Sequence, residues 1–222
     1  MVLRFDDSLQ SQWLNVLHVL EQYHFRAIFL AITSALEPEG TGYPLQYAWE
    51  TMSWTEMSYL CNDRNEIADH SATHKELNSQ SCSGLNFQIY QSRQALFSHN
   101  MIFISVFVDP STFGAANLTV ADYLCFWFFF HVSDNQLLKR EAAFLARDGD
   151  VPGNPAQSLS YFESIGNQAN STNVIGVYYH NLNDHMLCCS QFYTNTTIFD
   201  EEMALLYQNH FTTVLPDRLP WY

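Results

Sequence analysis

Cations are scarce in this chain. Its 222 residues include 9 Lys or Arg against 23 Asp or Glu, for a formal net charge of −14 at pH 7. A nucleic-acid binder draws most of its affinity from cations neutralising phosphates, and so few across the whole chain exclude a basic face of useful size. An anionic membrane surface is disfavoured for the same reason. Long apolar runs are missing too: Met101 to Val108 and Tyr123 to Val132 reach about half of the ~20 residues that a spanning helix needs. No membrane span is therefore expected. The five cysteines, Cys61, Cys82, Cys125, Cys188 and Cys189, are odd in number and contain no CxxC pair, which argues for free thiols over a disulfide framework or a cysteine-rich zinc site. The opening Met-Val-Leu-Arg-Phe-Asp-Asp has neither a basic segment followed by an apolar run nor a cleavage site, so no signal peptide is visible. That suits a cytoplasmic protein or a processed or truncated piece. Asn-x-Ser/Thr sequons at Asn117, Asn170 and Asn195 occur often by chance in such a composition and do not decide the compartment.

What is present is apolar: 47% hydrophobic and 14% charged residues exclude disorder and suit one domain over residues 1–222. Val2 to Phe5 reads as a strand, Gln10 to Tyr23 as an amphipathic helix and Phe25 to Ile32 as a second strand, a β-α-β unit that forces parallel pairing. Residues 37–47, broken by Pro38, Gly40, Gly42 and Pro44, read as a loop. Ser53 and Glu56 sit at capping-box spacing before a helix reaching about Cys61, and Glu66 to Ala68 is a short strand into His70. Leu85 to Leu96 reads as a helix, Met101 to Val108 as a buried strand, Asn117 to Tyr123 as a helix start, and Phe126 to Val132 as another strand. Residues 148–173 are rich in Gly, Pro, Asn and Ser and read as a long loop, followed by a strand over Val174 to Tyr179 and a helix over Phe199 to Gln208. Alternating strands and helices predict an α/β fold with a mostly parallel sheet, open or closed into a small barrel. In either, chemistry gathers at the carboxyl ends of strands.

Three places put ionisable residues just after a predicted strand: Asp6-Asp7, His70 with His74, and His180. Adjacent carboxylates diverge, so one can ligate a metal while the other serves as a base, although acidic pairs at strand ends are more often caps. His70 and His74, spaced i, i+4, present both imidazoles to one side if they share a turn, with Asp69, Ser71 and Thr73 available to orient a ring nitrogen. Two histidines and one aspartate from another strand make a hydrolytic metal site with open positions for water. His180 can face that water as a general acid, though by itself it suits a strand-end His bonding a loop carbonyl.

These residues resemble the polysaccharide deacetylases, the chitin-deacetylase-like family 4 carbohydrate esterases. Leu3-Arg4-Phe5-Asp6-Asp7 and Tyr23-His24-Phe25-Arg26-Ala27-Ile28-Phe29-Leu30 are similar to the family's Thr-Phe-Asp-Asp-Gly strand end and its following strand. Trp54, Glu66-Ile67 and His70-Ser71-Ala72-Thr73-His74-Lys75-Glu76-Leu77 resemble its second motif, and Phe107-Val108-Asp109-Pro110, Val177 to Leu182 and Phe199 to Leu206 resemble later ones more loosely. The resemblance implies a distorted β/α barrel of seven or eight strands, possibly incomplete. It implies a divalent metal, zinc by preference, on Asp7, His70 and His74, with Asp6 as the base activating the metal-bound water and His180 as the acid. Pro110, Phe113 and Tyr179 are expected to bind substrate, an N-acetylated polysaccharide or oligosaccharide, at the cell envelope or outside the cell.

Two departures stand out. Ser8 replaces the family's Gly after the acidic pair, which removes an easy left-handed turn and is expected to reshape the loop carrying Asp7. Val108 and Asp109 occupy the region where the family places an Arg that pairs with the base, and an acidic residue there is expected to weaken catalysis or shift it to higher pH. The partner of His180 falls to Asp148 or Asp150 only by position. Besides an active deacetylase, the sequence therefore allows a carbohydrate-binding relative that kept the fold and metal but lost turnover, with Tyr43, Tyr47, Trp49 and Trp54 for stacking on sugars. It also allows a decayed relative that binds no metal. The Phe126-Trp127-Phe128-Phe129-Phe130 cluster reads as core.

Overall fold

Short, fully buried segments make the strands. Val2–Phe5 (β1), Ile28–Ala31 (β2) and Glu66–Asp69 (β3) are buried at every position, as strands covered on both faces must be. The computed structural model describes residues 1–36, 50–101, 106–108, 110, 130–132, 144–146, 155–167, 175–184 and 192–216. Within these, Val106–Val108 (β4), Phe130–Val132 (β5), Phe144–Ala146 (β6) and Gly176–Tyr179 (β7) complete a seven-stranded sheet in the order β5-β4-β3-β2-β1-β7-β6. Every pairing in it is parallel. The result is a curled, incomplete β/α barrel, with β5 and β6 at its two edges among the described residues. A small parallel pair, Asn181–Leu182 (β8) with Tyr193–Thr194 (β9), follows β7.

Strand parity sorts the side chains into two layers. Leu3, Phe5, Phe29, Val177 and Tyr179 face the helices and join the main core with Leu20, Met57, Leu60, Phe162 and Phe199. Val2, Ile28, Leu30, Ala68, Val106 and Val108 line the inner face as a smaller apolar cluster. Arg4 and Asp6 share the parity of Val2, and His70 that of Ala68, so the inner face delivers the ionisable residues to the barrel mouth.

The helices mostly follow the sequence signals. The expected first helix is two, Gln10–Asn15 (α1) and Leu17–Tyr23 (α2), separated at Val16 and ended by His24 in the left-handed region. Trp54–Asn62 (α3) carries the anticipated capping box: the Glu56 amide donates to Ser53 Oγ and the Ser53 amide donates to Glu56 Oε2 at 2.7 Å. The helix read over Leu85 to Leu96 runs longer, as Cys82–Leu85 (α4), a π-helical turn over Asn86–Gln91 and Ser92–Ser98 (α5). Thr196–Gln208 (α7) starts three residues earlier than expected because Asn195 caps it, its Oδ1 accepting from the amides of Thr197 and Ile198.

The structure corrects the long loop read over residues 148–173: Pro155–Gly166 is a twelve-residue helix (α6), opened by a proline at its first position and packed through Phe162 and Ile165. Its helical apolar spacing lay hidden among turn-forming residues. β6, at Phe144–Ala146, was also not anticipated. The readings over residues 37–47, 117–123 and 126–129 fall outside the described residues.

Candidate active site

Three strand ends converge. Strands β3, β1 and β7 each deliver an ionisable group at the carboxyl edge of the sheet, and the side chains of His70, Asp7 and His180 meet there, joined by His74. After β1 the chain turns sharply, with Asp7 and Ser8 both at positive φ, 77° and 57°. Ser8 thus adopts the turn that a glycine would make easily, and its hydroxyl fastens it, donating to the Leu30 carbonyl and accepting from the Ile32 amide at 2.9 Å. These two bonds hold the loop that carries Asp7.

His70 and His74 do not lie on a helical turn. They belong to a loop in which Ser71 and His74 are left-handed, with φ of 68° and 55°. The two rings nonetheless sit with centroids 4.9 Å apart. The loop is clamped from behind by Gln88, whose Oε1 accepts from the Thr73 amide and whose Nε2 donates to Thr73 Oγ1. The Ala72 amide donates to the Gln88 carbonyl, and the His74 amide donates to Ser71 Oγ. Ser71 and Thr73 therefore hold backbone and Gln88, while the expected support of an imidazole comes from elsewhere: His70 Nδ1 lies 2.8 Å from the Val108 carbonyl oxygen. A carbonyl only accepts, so Nδ1 carries the proton and Nε2 is left to face the site. Asp69 points the other way, its Oδ1 accepting from the Ser71 amide and from Ser92 Oγ at 2.7 Å.

Both Nε2 atoms aim at one oxygen. Asp7 Oδ1 lies 3.5 Å from His70 Nε2 and 3.2 Å from His74 Nε2, and Asp7 Oδ2 lies 3.9 Å from His180 Nε2. The ligand atoms of Asp7, His70 and His74 lie within 4.8 Å of one another, a group that can hold one metal ion. Asp7 and His70 are deep, and His74 and His180 open the site to solvent with side chains 16% exposed. Burial alone would raise the Asp7 carboxyl, but the imidazoles of His74, His70 and His180 outweigh it and hold that carboxyl well below the usual range. Burial, with His70 and His180 nearby, pushes His74 down to about 4 against the pull of Asp7. Burial likewise opposes charge on His70, but its contact with Asp7 prevails and raises it. An ionised carboxylate and a neutral His74 are the forms that a metal ligand needs.

Asp6 faces the same mouth beside Asp7 and is gripped by Arg4, whose Nε donates to Oδ1 at 2.8 Å and whose terminal nitrogen donates to Oδ2 at 2.6 Å. Gln12, fully buried on α1, donates its side-chain amide to the main-chain carbonyls of both Asp6 and His180, tying two strand ends together. Neither Gln12, Gln88 nor Arg4 was singled out from the sequence. For Arg4 a signal existed, a lone cation inside an apolar strand, whereas the two glutamines look like ordinary polar helix positions.

Two expectations about aromatic residues fail. Tyr179 is on the helix side of β7, its ring packed on Phe5 and Phe199 and its hydroxyl donating to buried Glu202, so it is not brought to the site. Trp54 is 7% exposed and stacked on His99, which places it in the core and not on a sugar-binding surface. Pro110 is buried just beyond β4. Tyr43, Tyr47, Trp49, Asp109, Phe113, Asp148 and Asp150 lie outside the described residues.

Against known proteins, the polysaccharide deacetylase family matches residues 1–121, more than half of the chain, and the chain belongs to that family. None of the curated proteins compared matches the chain. Among solved structures it is similar to the Xyl-CE4 domain of a multidomain xylanase from the hindgut metagenome of Trinervitermes trinervoides, at 16% identity and a TM-score of 0.63, covering 96% of this chain and 85% of that one. A family 4 carbohydrate esterase from Streptomyces lividans, in complex with acetate, is similar at 12% identity and a TM-score of 0.65, covering 98% and 94%. A CE4 family pseudoenzyme from Bacillus anthracis is similar at 13% identity and a TM-score of 0.63, covering 96% and 62%. Identities this low establish the shared fold and leave the activity to the site. No helix among the described residues is long and apolar enough to cross a membrane.

Proposed function

We propose that this chain is a metal-dependent hydrolase that removes N-acetyl groups from an N-acetylglucosamine-containing polysaccharide of chitin or peptidoglycan type, acting as one catalytic domain at the cell envelope or outside the cell. The observation that carries this reading is the convergence of Asp7, His70 and His74 on one point, with ligand atoms within 4.8 Å of one another. The donors fit the ion: one carboxylate oxygen and two imidazole nitrogens, open on the His74 side, suit zinc in a hydrolytic role.

When bound, the ion supplies Lewis acidity, polarising the acetamide carbonyl and making water a better nucleophile near neutral pH. The protein does the rest. Asp6, held with both oxygens oriented, takes the proton from the attacking water as the new carbon–oxygen bond forms. His180, on the solvent side of Asp7, gives a proton to the departing nitrogen as the carbon–nitrogen bond breaks. The products are acetate and a glucosamine-type residue. Pro110 and Phe113 are assigned to substrate binding in this reading.

The test pairs binding with turnover. Zinc titration by calorimetry should give one tight site in the parent chain and at least a hundredfold weaker binding in His74→Ala, since losing one of three ligands removes a large share of the affinity. Acetate release from N-acetylated oligosaccharides should fall by about 10²–10⁴-fold in Asp6→Ala, leaving a small residual rate. A parent that binds zinc and oligosaccharide but frees no acetate would favour the second reading, a carbohydrate-binding relative without turnover, for which the pseudoenzyme among the structural neighbours is the precedent. A parent that binds no zinc would leave only a decayed site.

A further inference from the structure

The inner face of the sheet is mostly apolar, and among the described residues the buried charged side chains on it below the mouth are Arg4 and, two strands away, Glu66. Val2, Ile28, Leu30, Ala68, Val106 and Val108 fill it, and Arg4 stands among them in register with Ile28 on one side and Tyr178 on the other. Of the lysines and arginines among the described residues, Arg4 alone is buried, at 1% exposure. A guanidinium does not lose its proton in a protein, so a full positive charge is lodged in a low-dielectric interior. Burying a charge is costly even when it is paired, and a buried pair replaced as a whole by apolar side chains of similar size is often as stable. Packing alone gives no reason for an arginine here.

Its contacts supply one. Positions two apart on a strand project to the same side, which puts the Arg4 fork directly beneath the Asp6 carboxylate. Nε and the terminal nitrogen grip one oxygen each, at 2.8 and 2.6 Å. The guanidinium carbon in turn lies 4.6 Å from the centre of the Tyr178 ring, two residues before His180. Two parallel bonds from a planar fork fix a carboxylate in rotation as well as in position, which one bond or a point charge cannot do. Each oxygen accepts one of these bonds and can accept another, and Asp7, His70 and His74 lie at the same end of the sheet.

We propose that Arg4 is a positioning residue for the Asp6 base, holding the carboxylate in the one rotation that directs a lone pair at the attacking water. The role rests on the deacetylase reading above, and it assigns work to a residue of the first strand that touches neither substrate nor metal. Arg4 acts on the rate through Asp6 and leaves the metal ligands and the sugar contacts alone.

The test is a cycle over Arg4 and Asp6, read by acetate release from N-acetylated chito-oligosaccharide and by zinc calorimetry on the full chain. Arg4→Lys keeps a buried charge but loses the fork. It should lower kcat at least tenfold while KM and zinc affinity stay within about threefold of the parent. Arg4→Met should lower kcat further. In an Asp6→Asn background, where there is no base left to orient, Arg4→Met should change the residual rate by less than about twofold. Parental kcat in Arg4→Lys overturns the proposal, as does a loss in the double variant equal to the product of the two single losses. Should Arg4→Met fail to fold, Arg4→Lys and the double variant decide alone. A parent chain that binds zinc yet frees no acetate overturns the deacetylase reading itself, and the role of Arg4 with it, an outcome distinct from an active parent indifferent to Arg4→Lys.

Discussion

Ser8 shows how one residue can carry opposite costs. Its φ of 57° is in the region where a Cβ is penalised by about 1–2 kcal/mol, yet its hydroxyl serves both a buried carbonyl and a buried amide of the second strand's end. Ser8→Ala keeps the penalty and abandons the Leu30 carbonyl and Ile32 amide, so it should destabilise the chain by about 1–3 kcal/mol. Ser8→Gly loses the same bonds but relaxes the turn, and should cost about 1 kcal/mol less than alanine. Urea denaturation of the three proteins measures the order; a glycine variant less stable than the alanine variant would overturn the account. At this scale the sequence was legible where chemistry constrains residue type, at Asp6, Asp7, His70, His74 and His180. It was not legible where direction decides. Tyr178 and Tyr179 are neighbours of the same type, and only the parity of β7 sends the first toward Arg4 and the second into the core.

Elements position the candidate metal ligands more than the spacing of those residues does. The i, i+4 spacing of His70 and His74 suggests a helix, whereas the structure achieves the same convergence with a loop containing two left-handed residues. Such a loop keeps its shape only if its backbone groups are answered, and the π-helical turn over Asn86–Gln91 brings Gln88 to do so with two side-chain bonds and one main-chain bond. Gln88→Leu should therefore leave the fold intact by circular dichroism but weaken zinc binding about 10–100-fold, as removal of groups supporting metal ligands does elsewhere. Unchanged affinity would mean that the loop holds its own geometry. The second element that matters is α1, whose Gln12 joins the ends of β1 and β7, so Gln12→Leu should cost about 1–3 kcal/mol and lower kcat while sparing zinc binding. The element sequence was largely readable because apolar runs and caps are local signals, as at Ser53 and Glu56. Helix α6 was missed because its polar, turn-like composition masks an apolar stripe that only packing through Phe162 and Ile165 makes visible.

For the molecule as a whole, the candidate metal centre is linked to stability through protons. Burial raises the Asp69 carboxyl from its ordinary 3.8 to about 7, against the hydrogen bonds from Ser92 and Ser71, and contact with Asp7 raises His70 despite its burial. Both groups bind protons more tightly in the folded chain than in the unfolded one. Each therefore contributes stability that is present below its unfolded pKa and is lost as pH rises through its folded value. For Asp69 the loss spans about pH 4 to 7, and for His70 it begins near 6.5 and continues above. His74, pushed down to about 4, works the other way and adds stability as pH rises from about 4 to 6.5, so the losses prevail above that range and the metal-free chain should be less stable at pH 8 than at pH 6.5. Zinc has the opposite dependence, because its ligands must be deprotonated and the proton on His70 competes with it. At a thousandfold excess over Kd the ion adds about 4 kcal/mol, on the order of 10 °C in Tm for a chain of this length. Thermal melts with chelator and with zinc should therefore diverge as pH rises, the zinc-induced increase being clearly larger at pH 8 than at pH 6. In Asp69→Asn the loss due to this carboxyl should disappear and the gain from His74 should show, so the chelator curve should turn upward between pH 5 and 7 relative to the parent while the zinc increment persists, separating the buried carboxyl behind the site from the imidazoles within it. A zinc increment independent of pH would mean that His70 is already neutral in the empty site, and that Asp7 alone sets the charge the ion meets.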